Sequence, residues 1–173
     1  PFGRTAPYDA KYPELSKFSL HNYFIAKNIV MLKPGGLGVF ITSTSTMDNG
    51  ASGKFRDWVT KDGNADLIGA IRLPNTAFKE NAGTEVTTDI LIFQKRTSDS
   101  PSPYAQDFRY TKPIRELEIN GEVKPLTINE YFVNNPQMLL GEMKFSIETK
   151  HGNLYGPDTQ TMEALPGKDT FGA

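Results

Sequence analysis

The chain has 173 residues, enough for one ordinary domain or for one domain and a small tail. It carries 19 Lys and Arg against 20 Asp and Glu, a formal net charge of -1, which argues against a nucleic-acid binder of the polybasic kind. It has no Cys and 2 His, at positions 21 and 151, which excludes a disulfide framework and thiol catalysis and leaves a metal site unexpected.

Hydrophobic residues make up 38% of the chain and aromatics 11%, enough for a packed core. No apolar run reaches the roughly eighteen residues a membrane span needs, and no charged-then-apolar leader opens the chain, so the expected setting is the cytoplasm. The chain opens on Pro1-Phe2-Gly3 rather than Met, which suggests a piece of a longer protein.

The opening stretch, roughly 1–13, is rich in Pro, Gly and Tyr and is expected to be irregular. From Glu14 to Lys33 the pattern is helical, with Leu20, Phe24, Ile25, Ile29 and Leu32 forming one apolar stripe that Ser16 or Ser19 could cap. Pro34-Gly35-Gly36 stops it. Leu37–Thr42 is nearly all apolar and suits a strand buried on both faces, as in a mostly parallel sheet. A Ser/Thr-rich loop over 42–50 follows. A second helix runs from Ser52 to about Lys61, with Phe55, Trp58 and Val59 on one face, and Gly63 ends it. Ala65–Leu73 and Val86–Lys95 read as two more strands, joined by a loop over 74–85. With no helix between them, these last two strands fit an antiparallel pair rather than a right-handed crossover. Residues 1–96 therefore look like one half of a doubly wound α/β sheet with an antiparallel terminal strand.

The stretch Thr97–Tyr104 is polar and broken by Pro101 and Pro103, and reads as a linker. It also separates the charge. Residues 1–96 carry 12 basic and 9 acidic residues, net +3, whereas 97–173 carry 7 and 11, net -4. Residues 105–173 read as a small α+β appendage. Phe108-Arg109-Tyr110 and Leu117–Ile119 suggest short strands, and Asn120-Gly121 marks a hairpin turn. Thr127 and Glu130 resemble a capping box opening a short helix through Phe132. From Lys150 onward the tail is Gly-, Pro- and Thr-rich, and is expected to be extended or poorly ordered.

Self-contained catalysis is hard to find. Neither phosphate-binding glycine motif is present, and Gly35-Gly36-Leu37-Gly38 lies after a helix and before a strand, the wrong order for a phosphate cradle. His21 reads as a surface or hydrogen-bonded residue. The Ser/Thr run at 42–46 has no evident His-Asp partner, so a nucleophile is not expected there. The loops over 42–50 and 73–85, the second carrying Phe78, Lys79, Glu80 and Asn81, leave strands at the carboxyl edge, where open α/β sheets bind ligands.

Several segments, in order, resemble the distal half of an N6-adenine DNA methyltransferase. The likeness is to modification subunits of type I restriction systems and to methylase–helicase proteins of bacterial mobile elements. Pro1-Phe2-Gly3 matches the end of that family's Asn-Pro-Pro-Phe-Gly. Met31-Leu32-Lys33-Pro34-Gly35-Gly36 matches its helix end, and Ile71-Arg72-Leu73-Pro74 its strand end. Phe78, Thr84 and Thr88-Asp89-Ile90-Leu91 follow in the family's order. The likeness covers residues 1–96, and implies the C-terminal half of a Rossmann-like class I methyltransferase sheet. It further implies S-adenosylmethionine as cofactor and DNA as partner. The remaining methylase domain, and a helicase domain, would be further partners.

In that family a flipped adenine is methylated. Phe2 would stack on the base beside Pro1, the remnant of the catalytic motif. Gly3, Phe78 and Thr84 would lie against the substrate. The catalytic Asn and the cofactor-binding turn are absent from this chain, so it is expected to be inactive by itself. Asn129–Phe132, Asn135–Gly141 and Tyr155-Gly156 resemble the region after the methylase core in methylase–helicase proteins, for which a structural or interdomain role is expected. Two other readings stand beside this one. One is a methyltransferase acting on protein glutamine, which uses a similar motif. The other is a non-catalytic scaffold descended from a methylase.

Overall fold

The structure is a computed structural model, and it describes residues 7–60, 62, 64–83, 85–97, 105–149 and 156–166. A 3-10 turn at Pro13–Lys17 precedes α1 (Leu20–Met31) and β1 (Leu37–Ser43). Then come α2 (Ser45–Asp48), a 3-10 turn at Gly50–Ser52, α3 (Gly53–Thr60) and β2 (Ala65–Leu73). α4 (Lys79–Ala82) and β3 (Thr88–Lys95) complete this part.

The three strands form one sheet in the order β1-β3-β2, with β3 antiparallel to both neighbours. β1 and β2 therefore run parallel to one another. The α/β class and the antiparallel terminal strand are as the sequence implies. Among the described residues the sheet is packed mainly on one face, so β1 is not buried on both faces as its apolar run suggests. Leu67, Ala70, Leu91 and Phe93 point into a core with Ile25, Ile29 and Phe55 from the helices. On the other face Leu37, Val39 and Ile41 are 57%, 62% and 60% exposed, and β1 is an edge strand.

The Pro34-Gly35-Gly36 turn is shaped by its neighbours. Gly35 has φ 77°, and a Cβ on Gly36 would lie 2.9 Å from the Lys33 carbonyl. Free of those side chains, the Gly35 N–H donates to the Lys95 carbonyl (2.9 Å) and the Gly36 carbonyl accepts from Lys95 (2.8 Å). The turn thus seals the far end of β3.

The C-terminal part adds α5 (Ala105–Arg109), a hairpin of β4 (Thr111–Ile119) and β5 (Glu122–Asn129), and α6 (Glu130–Asn134). A 3-10 turn at Pro136–Met138 leads to β6 (Glu142–Phe145), which pairs antiparallel with β7 (Gln160–Glu163). Asn120 and Gly121 form the hairpin turn at φ 55° and 81°. Phe108, Leu126, Ile128 and Phe132 share the core of the sheet, and the Phe93 and Phe108 rings meet edge to face at 5.7 Å. No helix among the described residues is long and apolar enough to cross a membrane.

Four local expectations change. The inward face of α1 is Asn22, Ile25, Ala26 and Ile29, while Phe24 is largely exposed, because the Asn22 amide is held inside by two hydroxyls. Phe108 and Arg109 are helical rather than extended, since Phe108 turns into the core while Arg109 reaches Asp57 on α3. The cap of α6 is Asn129, whose Oδ1 accepts from the Tyr131 N–H at 3.1 Å, and Thr127 is still in β5. Residues 160–163 are a paired strand rather than loose tail. Of the linker, only Thr97 falls within the described residues.

Candidate functional site

β1 and β2 end side by side, and Thr88 at the start of β3 pairs with both Ser43 and Leu73. The two ligand-side loops of the sequence reading therefore leave from one edge. The first folds into α2, and the second contains α4, with Phe78 half-buried at its start. Pro1, Phe2, Gly3 and Thr84 lie outside the described residues, so their arrangement around Phe78 is not part of the geometry.

Arg72 stands at the centre of this edge and is fully buried. It faces Asp89 across the β2–β3 pair and grips it with two bonds, Nε to Oδ1 at 2.7 Å and Nη2 to Oδ2 at 2.8 Å. Its Nη1 donates to Asp48 Oδ2 on α2 at 2.7 Å. Such a planar fork matches a carboxylate in a way that Lys cannot. The Phe132 ring lies 4.5 Å from the guanidinium carbon, and Met143 Sδ lies 3.7 Å from Nη1. Burial opposes the charged guanidinium, but Asp48 and Asp89 outweigh it and raise the Arg72 pKa above its ordinary value. Burial pushes the Asp89 carboxyl up, against the pull of Arg72.

The network continues into the C-terminal part. Asp48 Oδ1 accepts the Asn129 backbone N–H at 2.9 Å. The Asn129 amide donates to the Met47 and Phe108 carbonyls, both at 2.9 Å. Leu140 N–H donates to the Arg72 carbonyl at 3.0 Å. Beside it, buried Arg56 donates to the carbonyls of Thr46, Asn49 and Arg109, and its burial lowers its pKa. The 74–87 loop is stitched to β7 by Asn75 N–H to the Met162 carbonyl (2.7 Å) and by Met162 N–H to the Thr87 hydroxyl (2.8 Å). Asn75 Oδ1 and Thr88 Oγ1 are buried here and find no hydrogen-bond partner among the described residues.

The Ser/Thr run has a histidine after all. His21 Nε2 lies 3.0 Å from Ser45 Oγ, which is 2.6 Å from Ser43 Oγ. His21 is half-buried and hydrogen-bonded, and burial lowers its pKa. Among the described residues no carboxylate is bonded to the ring, so the pair lacks the group that orients the base in a triad. Sequence distance hid this contact, as it hid Arg72, whose partners lie 17, 24 and 71 residues away.

The chain matches no protein-family model and no curated protein. Among solved structures it is similar to the M protein of the type I restriction enzyme EcoKI, at 24% identity and a TM-score of 0.40, covering 49% of this chain and 17% of that one. It is also similar to a protein of Listeria monocytogenes described as a class I S-adenosylmethionine-dependent methyltransferase. There the identity is 24% and the TM-score 0.43, covering 56% of this chain and 31% of that one. The chain thus spans less than a third of either protein, and neither likeness bears weight in the functional reading, which rests on this chain's own residues and topology.

Proposed function

We propose that this chain is the substrate-side part of a DNA adenine-N6 methyltransferase domain. The observation that carries the reading is topological. An antiparallel β3 lies between parallel β1 and β2, so that the two loops in which the family resemblance places its ligand-side residues leave from a single carboxyl edge. The free edge of β1 agrees with a sheet that continues past it, and the exposed apolar row Leu37, Val39 and Ile41 agrees with a further layer over that face in the parent.

In this reading Phe2 and Phe78 stack on an adenine taken out of the duplex, with Pro1, Gly3 and Thr84 beside them. DNA is the partner, and the acceptor is the exocyclic amine. S-adenosylmethionine supplies the methyl group, but the described residues do not fit it. The Gly35-Gly36 turn lies at the amino end of β1 and is filled by the Lys95 backbone, and Asp48 and Asp89 are spent on Arg72. The cofactor would be held elsewhere in the parent protein.

The test is methyl transfer from labelled S-adenosylmethionine by the intact protein that carries this chain, offered adenine-containing duplex and a glutamine-containing protein. Label in N6-methyladenine supports the reading. Label in glutamine alone replaces it with the protein-directed one, and no label in either favours the scaffold. This chain alone is expected to transfer none.

A further inference from the structure

Residues 105–173 are expected from sequence to be an appendage, and part of this segment makes specific contacts with the carboxyl edge. Asp48 sits on α2 in the loop that follows β1, and both of its oxygens are used. One takes the Arg72 guanidinium at 2.7 Å, and the other takes the Asn129 N–H at 2.9 Å. Arg72 in turn is packed by Phe132 and Met143, and its carbonyl holds Leu140. The side chains of Arg72, Asp48, Phe132 and Met143 are buried or nearly so, so water offers no cheap replacement for a lost bond.

We propose that Asp48 is a positioning residue that joins the ligand-side loop after β1 to the segment 129–143, so that the two move as one body. The carboxylate does this because it is a two-sided acceptor. Asn in its place keeps an acceptor for the Asn129 N–H but turns an amide N–H toward the Arg72 donors. Asp48→Asn therefore cuts the arm that runs through Arg72 to Phe132, Leu140 and Met143 and leaves the Asn129 bond as the one direct tie of residue 48 to the segment, so the two loosen against each other while the Arg72–Asp89 pair stays whole.

The structural part of this inference is independent of the methyltransferase reading, and only its kinetic arm rests on it. The experiment is hydrogen exchange on the intact protein, with and without Asp48→Asn. Exchange in residues 44–50 and 136–143 should rise about 10- to 100-fold, while the β3 core around Leu91 and Phe93 keeps its protection. In methyl-transfer assays the same variant should lower kcat by about tenfold, with KM for DNA nearly unchanged. Unchanged exchange in both segments overturns the proposal. So does a uniform rise that includes β3, because that marks general destabilisation. Exchange rising in the two segments in a protein whose wild type transfers no methyl group upholds the positioning role and removes the methyltransferase reading. Should Asp48→Asn fail to fold, Arg72→Met with Asp89→Leu and Asp48→Asn breaks the same link without leaving any charge of the three buried alone, and the same exchange pattern is expected.

Discussion

Phe108→Ala tests whether the C-terminal part is built into the sheet's core. Phe108 is fully buried on α5 and meets Phe93 of β3 edge to face at 5.7 Å. Truncating such a residue removes its transfer free energy, opens a cavity and breaks an aromatic pair, a loss of about 3–5 kcal/mol. With a urea slope of about 2 kcal/mol/M, the midpoint should fall by about 1.5–2.5 M. The assay is urea unfolding followed by fluorescence of Trp58. This is the sole Trp of the chain, and it packs on Phe18 and Phe55 on the sheet's side of the linker. One cooperative transition, moved by that amount, is the expected result. An unmoved Trp58 transition would refute the reasoning, because it would mean that α5 unfolds apart from the sheet.

Asp9 accepts from Lys27, Tyr23 and two backbone N–H groups, and the Lys27 bond above all holds its carboxyl well below the ordinary 3.8. A depressed carboxylate stabilises the fold above its unfolded value and loses that contribution as pH falls through the folded one. Thermal melts from pH 5 downward should therefore show wild type losing stability below about pH 4 more steeply than Asp9→Asn. Phe78→Ala should lower methyl transfer by the intact protein roughly 5- to 150-fold, the worth of one base-stacking contact, while leaving its melting temperature nearly unchanged. An equal loss with a large drop in stability would point to packing instead. Gly141→Ala should unpair β6 from β7, because a Cβ at Gly141 would run into the Glu163 carbonyl. Loss of exchange protection at Lys144 and Thr161, which face each other across the pair, is the readout.

The sheet was legible because its strands write themselves locally. Ala65–Leu73 is bounded by polar residues and a Pro, and the strand has those bounds. The antiparallel β3 followed from a connection with no room for a crossover helix. Asn120-Gly121 declared its hairpin because a two-residue turn of this kind needs positive φ twice. What failed was either too short to have a period or made by distant partners. Three residues around Phe108 cannot tell strand from helix, and Phe93 decides the matter. Gln160–Glu163 is polar, and only pairing with Glu142–Phe145 makes it a strand. At the candidate site the two loops could be placed from strand ends alone. The Arg72 fork, the Asp48 bridge and the His21–Ser45 contact could not, because each joins residues that only the finished fold brings together.

The place of β3 in the sheet also dictates when the sheet can exist. Among the described residues β1 and β2 are joined to each other through β3, the last of the three to be synthesised. Leu37 must wait for Gln94, and Ala65 for Lys95. During translation these two strands leave the ribosome before the strand that joins them, and at about 5–20 residues per second they wait seconds for it. The nascent chain is therefore most exposed to aggregation and to chaperones just before β3 emerges, and truncations ending ahead of Thr88 should be degraded or insoluble, whereas those ending after Arg96 gain a closed three-stranded unit.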